Sequence, residues 1–192
     1  MKKKKTWYEY MWIASSLYLI LGLFNILFAW LGVLCFIIPL LISIFRGNKT
    51  YCNKYCGRGQ LLDLIGNRFK FSRNKPLPKF LRTKYFRYGF LAFFMAMFIN
   101  MLFSTYLVFS NVNSLNKVLT IFWTFKFPWN FTNLTNVTPW IAQFSFGFYS
   151  MMLTSTLIGL ISMYFFKPRS WCVYCPMGTM TQGICIIKDK LN

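Results

Sequence analysis

Thirty-five consecutive residues, from Met11 to Phe45, carry no charged side chain. As one helix they would extend ~52 Å at 1.5 Å per residue, too long for a hydrocarbon core of ~30 Å. Two crossings joined by a tight hairpin fit better, with the break expected at Gly32 in "AWLGV". Further apolar runs of membrane length follow at about 88–110 and 146–166. Charged residues make up 13% of the chain, about half the share of an average soluble protein. A single membrane domain is therefore expected.

The charges are almost all positive: 22 Lys and Arg against Glu9, Asp63 and Asp189. They do not form the one basic domain that a nucleic-acid partner calls for. Instead they alternate with the apolar runs, as the positive-inside rule predicts for membrane loops. Lys2 to Lys5 precede the first run, twelve cations lie between Arg46 and Arg87, and Lys167, Arg169, Lys188 and Lys190 follow the last run. Lys117 and Lys126 alone fall in the remaining loop. The expected fold is an all-α integral membrane protein with four transmembrane helices, at 11–30, 33–46, 88–110 and 146–166, and with both termini cytoplasmic. Residues 1–10 form a basic N-terminal segment, 47–87 a cytoplasmic basic loop, 111–145 an outer aromatic loop and 167–192 a cytoplasmic tail. The first run is too long for a cleavable signal, and Leu34 before Cys35 is not the small residue of a lipoprotein site, so the N-terminus is expected to be retained.

The outer loop is rich in aromatic, Asn and Thr residues. Trp123, Trp129 and Trp140 suit an interfacial belt or a short helix lying on the membrane. N-x-T sequons begin at Asn130, Asn133 and Asn136. Another at Asn48 sits on the expected inner side, so the sequons read as accidents of an Asn-rich composition.

The chain has no histidine, which excludes bis-imidazole haem, Rieske-type and His-carboxylate metal sites. Paired-carboxylate and Ser-His-Asp catalysis are equally unsupported, and a permease lacks the charged intramembrane residues that mark a path. Six cysteines remain: Cys35, Cys52, Cys56, Cys172, Cys175 and Cys185. Cys35 and Cys185 stand alone and read as apolar fillers. The other four form two pairs, in "YCNKYCGRGQ" (51–60) and "WCVYCPMGTM" (171–180), each after a basic joint that follows a helix pair. The chain thus reads as two parallel helix-pair repeats, each ending in a cysteine pair at the same membrane face.

Cysteines three or four apart share one face of a helical turn. Gly57, Gly59, Pro176 and Gly178 let the backbone turn closely about a bound group, and neighbouring cations favour thiolates. Four thiolates are the usual donors of a [4Fe-4S] or [2Fe-2S] cluster. Tetrathiolate zinc is the main rival, and the alternative function is a zinc-stabilised or dithiol membrane scaffold that recruits a partner; disulfides fit a reducing cytoplasm poorly, and no βαβ context supports a thioredoxin-like dithiol.

Across roughly residues 35–185 the chain resembles the NapH and NosR type of membrane polyferredoxin. The resemblance is carried by the two cysteine pairs, by "LLDLIGNRFKF", and by Cys175, Pro176, Met177 and Gly178, which match that family's Cys-Pro-x-Gly ending. Gly57 stands where the first motif usually has proline, and the second pair is C-x-x-C. The soluble ferredoxin cluster motifs are missing. The resemblance implies a minimal 4Fe-4S membrane core with Cys52, Cys56, Cys172 and Cys175 as ligands. It implies an electron-transfer subunit rather than a stand-alone enzyme, in a bacterial plasma membrane. Its partners would be a soluble carrier such as ferredoxin or flavodoxin, toward which the basic surface would steer acidic proteins, or other subunits of a redox complex.

Overall fold

Asn25, not Gly32, divides the first apolar run. In the computed structural model, which describes residues 10–47, 51–116, 118–122, 124–128 and 137–191, α1 (Met11–Phe24) ends where Asn25 turns extended. Its side-chain oxygen accepts the Leu27 N–H at 3.1 Å and so caps the next helix. From there a tight 3-10 turn (Ile26–Trp30) leads straight into α2 (Leu31–Arg46). Gly32 lies within that continuous helix, where its missing side chain serves close packing. A Cβ there would stand 2.5 Å from the Tyr18 hydroxyl and 2.7 Å from the Phe148 ring.

Among the described residues, three helices are long and apolar enough to cross a membrane: Ile26–Arg46, Lys84–Phe109 (α5) and Pro139–Phe165 (α6). The fourteen residues of α1 rise ~21 Å, short of the ~30 Å core, so the expected 11–30 span is not present as one membrane-length helix. α5 starts four residues before the expected 88, because Phe86 and Phe90 pack on Trp171 and Tyr174 at centroid distances of 5.4–5.6 Å. α6 starts at Pro139, seven residues before the expected 146, since proline suits the first helical position. The basic loop 47–87 is not irregular throughout. It holds a π turn (Tyr51–Tyr55), α3 (Gly57–Asp63) running into a second π turn (Leu64–Arg68), and the short α4 (Lys79–Arg82).

No interfacial helix occupies the described part of the outer loop. Residues Val118–Ile121 (β1) and Phe125–Pro128 (β2) form an antiparallel hairpin in which Thr120 faces Lys126. Trp123, Trp129 and the four sequon asparagines lie outside the described residues, whereas Trp140 sits in the first turn of α6.

The chain packs as two units. One comprises Tyr18–Leu34 and Ala92–Thr156. Its core is Ile26, Ala29, Leu119, Phe146 and Tyr149, with Tyr18 and Leu153 packed against it. The Tyr149 hydroxyl donates to the Leu19 carbonyl at 2.7 Å. Tyr149→Phe is expected to lower stability by about 0.5–1.5 kcal/mol, seen as a lower thermal midpoint in detergent with an unchanged helical signal.

The other unit comprises Met1–Leu17, Cys35–Leu91 and Leu157–Asn192 and contains all six cysteines. Its two cysteine segments follow α2 and α6; the second consists of α7 (Trp171–Tyr174) and α8 (Pro176–Leu191). Trp171 and Tyr174 are buried, and Ser162 of α6 hydrogen-bonds the Tyr174 hydroxyl. A Cβ at Gly159 of α6 would touch Leu62 of α3 at 3.2 Å, so α3 lies close to this end of α6. The Arg169–Asp63 ion pair, at 3.4 Å between exposed side chains, adds at most about 1 kcal/mol. Lys188 of α8 donates to the last-turn carbonyls of Ile44 and Phe45 in α2, as a cation at a helix C-terminus should.

Candidate metal centre

The two cysteine segments fold alike. In each, the first cysteine lies in a single helical turn, Cys52 in the π turn and Cys172 in α7, and the second is the extended residue that opens the next helix. Cys56 has φ −68° and ψ 100°, and its sulfur accepts the Gly59 N–H at 3.5 Å. Cys175 has φ −52° and ψ 129°, and its sulfur accepts the N–H groups of Gly178 and Met177. Cysteine thus does what serine or aspartate does at an N-cap, which orients each sulfur and stabilises its anion.

The segments meet over Gly59. A Cβ built on that glycine would lie 3.5 Å from the Cys172 sulfur and 3.7 Å from the Cys56 sulfur, so the two sulfurs face one space that glycine leaves open. Charge links the others to them. Burial pushes the Cys175 thiol up to about 11; its amide hydrogen bond from Gly178 opposes this, the Cys56 charge adds to it, and Arg58 opposes it. The Cys172 thiol is pushed up to about 12, again by burial first and then by Cys56 and Cys175, against Arg169. Cys172 keeps an exposed face, but the protein crowding its other side makes desolvation the largest cause. The Tyr51 phenol is raised by burial and then by the charges of Cys35, Cys56 and Cys52.

The Cys172 and Cys175 thiols, with their raised pKa values, hold their protons until a cation replaces them. In the metal-free protein the thiolate fraction of Cys175 at pH 8 should be on the order of a hundredfold below that of a free cysteine. Alkylation by iodoacetamide should be slow at both Cys172 and Cys175 and should accelerate as pH rises toward 11. Mass spectrometry of the labelled peptides reads the rates; labelling of both at the free-thiol rate would contradict the stated environment. The linked stability has the same sign, present below the ordinary thiol pKa and lost as pH rises through the raised values.

The donor set suits an iron-sulfur cluster better than a single ion. Among the described residues, no three His, Cys, Asp or Glu side chains converge closely enough to hold one metal ion. Tetrahedral zinc requires such convergence at Zn–S distances of ~2.3 Å, and zinc is not supported. A cluster spreads its thiolate ligands over several irons, and here Arg58 and Arg169 stand by to offset its charge. A side chain at Gly59 would compete for the same space. Gly59→Ala should fold normally, since its Cβ makes ordinary contacts with both sulfurs, while Gly59→Leu should keep the helical fold yet lose most bound iron, measured per chain after anaerobic purification.

Two neighbours were not signalled by the sequence motifs. Thr181 of α8 brings its hydroxyl to 3.7 Å from the Cys52 sulfur, and the Ser43 hydroxyl donates to the Thr181 carbonyl at 3.0 Å. Cys185, one turn further along α8, is buried with its sulfur 3.5 Å from the same Ser43 oxygen. The Thr-x-x-x-Cys spacing on α8 was the available clue. Cys35, read as a filler, adds its charge at Tyr51 beside Cys56 and Cys52.

Comparison with curated proteins returned no match, and comparison with solved structures returned none. Residues 28–78 and 149–192, which contain all six cysteines, match the profile of the 4Fe-4S binding domain. Over these two segments the chain is similar to that domain, and the match supports an iron-sulfur binding protein.

Proposed function

We propose that this chain is an integral membrane electron-transfer protein in which Cys52, Cys56, Cys172 and Cys175 hold a [4Fe-4S] cluster near the cytoplasmic face. The observation that carries the reading is the pair of N-capping cysteine turns, which brings the Cys56 and Cys172 sulfurs to the same open space over Gly59. When bound, the cluster would supply reversible one-electron transfer. The protein's own part is to fix the sulfurs by backbone N–H groups and to set arginines beside them. The excess of cations in the loops bearing the cysteines supports a cytoplasmic placement, with both termini on that side and the cysteine segments as the ends of two parallel repeats, an arrangement that needs α1 to complete a fourth crossing beside the three membrane-length helices. The same basic surface suits an acidic soluble carrier of the ferredoxin or flavodoxin kind. The chain would then serve as the membrane core of a redox complex of the NapH and NosR type in a bacterial plasma membrane.

Anaerobic purification followed by iron, acid-labile sulfide and zinc analysis, with electron paramagnetic resonance of the reduced protein, tests the proposal. About four irons and four sulfides per chain, with a reduced-state signal, are expected for a single cubane cluster. Intact thiols that take up no iron on reconstitution, or stoichiometric zinc in its place, would sink it.

A further inference from the structure

Residues 116 and 118–122 run down the side of α6. The Asn116 N–H donates to Gln143 Oε1 at 3.1 Å, the Thr120 N–H to Ser150 Oγ at 3.0 Å, and the Phe122 N–H to Thr154 Oγ1 at 3.5 Å. Two strand residues at ~3.3 Å each cover the same distance as four helix residues at ~1.5 Å, so β1 lies nearly parallel to α6. Ser150 and Thr154 flank the midpoint of that 27-residue helix. If Trp140 marks the membrane boundary, Ser150 lies ~15 Å below it, about halfway through a ~30 Å core. Leu119 is buried among Ile26, Ala29, Phe146 and Tyr149. The hairpin therefore enters the span and returns, with its first strand satisfied by hydroxyls of α6.

Among the described residues, none gives the second strand such cover. Lys126 is the rung partner of Thr120. Because Thr120 turns its N–H away from β2 toward Ser150, Lys126 turns its own N–H and C=O to the outer edge of β2. All four β2 residues are exposed, and the described sheet ends at that edge. Lipid can satisfy neither an open strand edge nor a cation at this depth, and a four-carbon stem is too short to carry the charge back to the boundary. A second copy of the chain offers no counter-charge, since its acids, Glu9, Asp63 and Asp189, all lie outside the apolar runs.

We infer that the edge of β2 is the docking face for a different membrane polypeptide, one that sets an aspartate or glutamate against Lys126. The inference rests on the membrane reading and not on the iron-sulfur reading, because the hairpin falls between the two matched segments.

Carbonate extraction of membranes from the native host comes first, and release of the chain into the supernatant would sink the membrane reading itself. With the chain retained, opened membranes are treated with a water-borne succinimidyl acetate, and separately with a carbodiimide that couples amines to touching carboxylates. Lys126 is expected to acetylate at least tenfold more slowly than the exposed Lys79, and to yield a cross-linked peptide joining it to an acidic residue of another membrane polypeptide. Lys126→Gln should abolish the cross-link while iron per chain stays unchanged. Acetylation of Lys126 as fast as Lys79 would place the hairpin at the surface and overturn the inference. So would a protected Lys126 that gives no carboxylate adduct, or one only to an acid of a second copy.

Discussion

Replacing Cys56 with serine is expected to reduce bound iron and acid-labile sulfide by more than about tenfold, because loss of a group that merely supports a metal ligand already costs 10–100-fold in affinity. Cys56 should be the most sensitive of the four positions. Its sulfur shares the space over Gly59 with Cys172, and its charge reaches Cys172, Cys175 and Tyr51. Serine can keep the capping hydrogen bond to Gly59, so α3 should persist and the loss should be one of ligation rather than of fold. Cys185→Ser is the control, since that thiol lies against Ser43, and it should retain iron at the level of the unsubstituted chain. Equal iron in Cys56→Ser and the parent protein would remove Cys56 from the ligand set.

The cysteine pairs were legible because thiol spacing and the Gly or Pro after the second cysteine are local properties, and the turn each describes is set locally by an N-cap. The break between α1 and α2 was misplaced because glycine and asparagine each have two meanings in an apolar run. Gly32 marks close helix packing, and Asn25 marks the cap. The hairpin was hidden for a different reason. "VLTI" and "FKFP" are four residues each, without the Asn-Gly or Asp-Gly turn that identifies a short hairpin. What holds β1 in place is a pair of hydroxyls on α6, Ser150 and Thr154, thirty or so residues away. Lys126 pairs with Thr120 across the hairpin, so its surroundings depend on how β1 sits against α6 and not on its sequence neighbours.

Gly57→Pro is expected to destabilise the protein by about 1–3 kcal/mol, although every local rule favours proline there. Residue 57 is the first position of α3, where proline is preferred. Cys56 before it is already extended, as a residue preceding proline must be, and the second segment carries Pro176 at the equivalent place. The obstacle is tertiary. A Cβ on residue 57 would lie 2.5 Å from the backbone carbonyl oxygen of Met11 and 3.4 Å from the Ser15 Cβ, and a helix backbone cannot swing aside as a side chain can. The departure from the Cys-Pro pattern in the first segment thus follows from α1 packing directly on the turn. Gly57→Ala should cost a similar amount, while Pro176→Gly, which meets no such contact, should cost only about 0.4–1 kcal/mol through the greater freedom of the unfolded chain. Thermal unfolding in detergent compares the three variants, and iron content should fall with Gly57→Pro because the capped sulfur of Cys56 is displaced with the turn. A Gly57→Pro protein as stable as its parent would show that α1 does not press on this turn, and the glycine would then lack a physical reason.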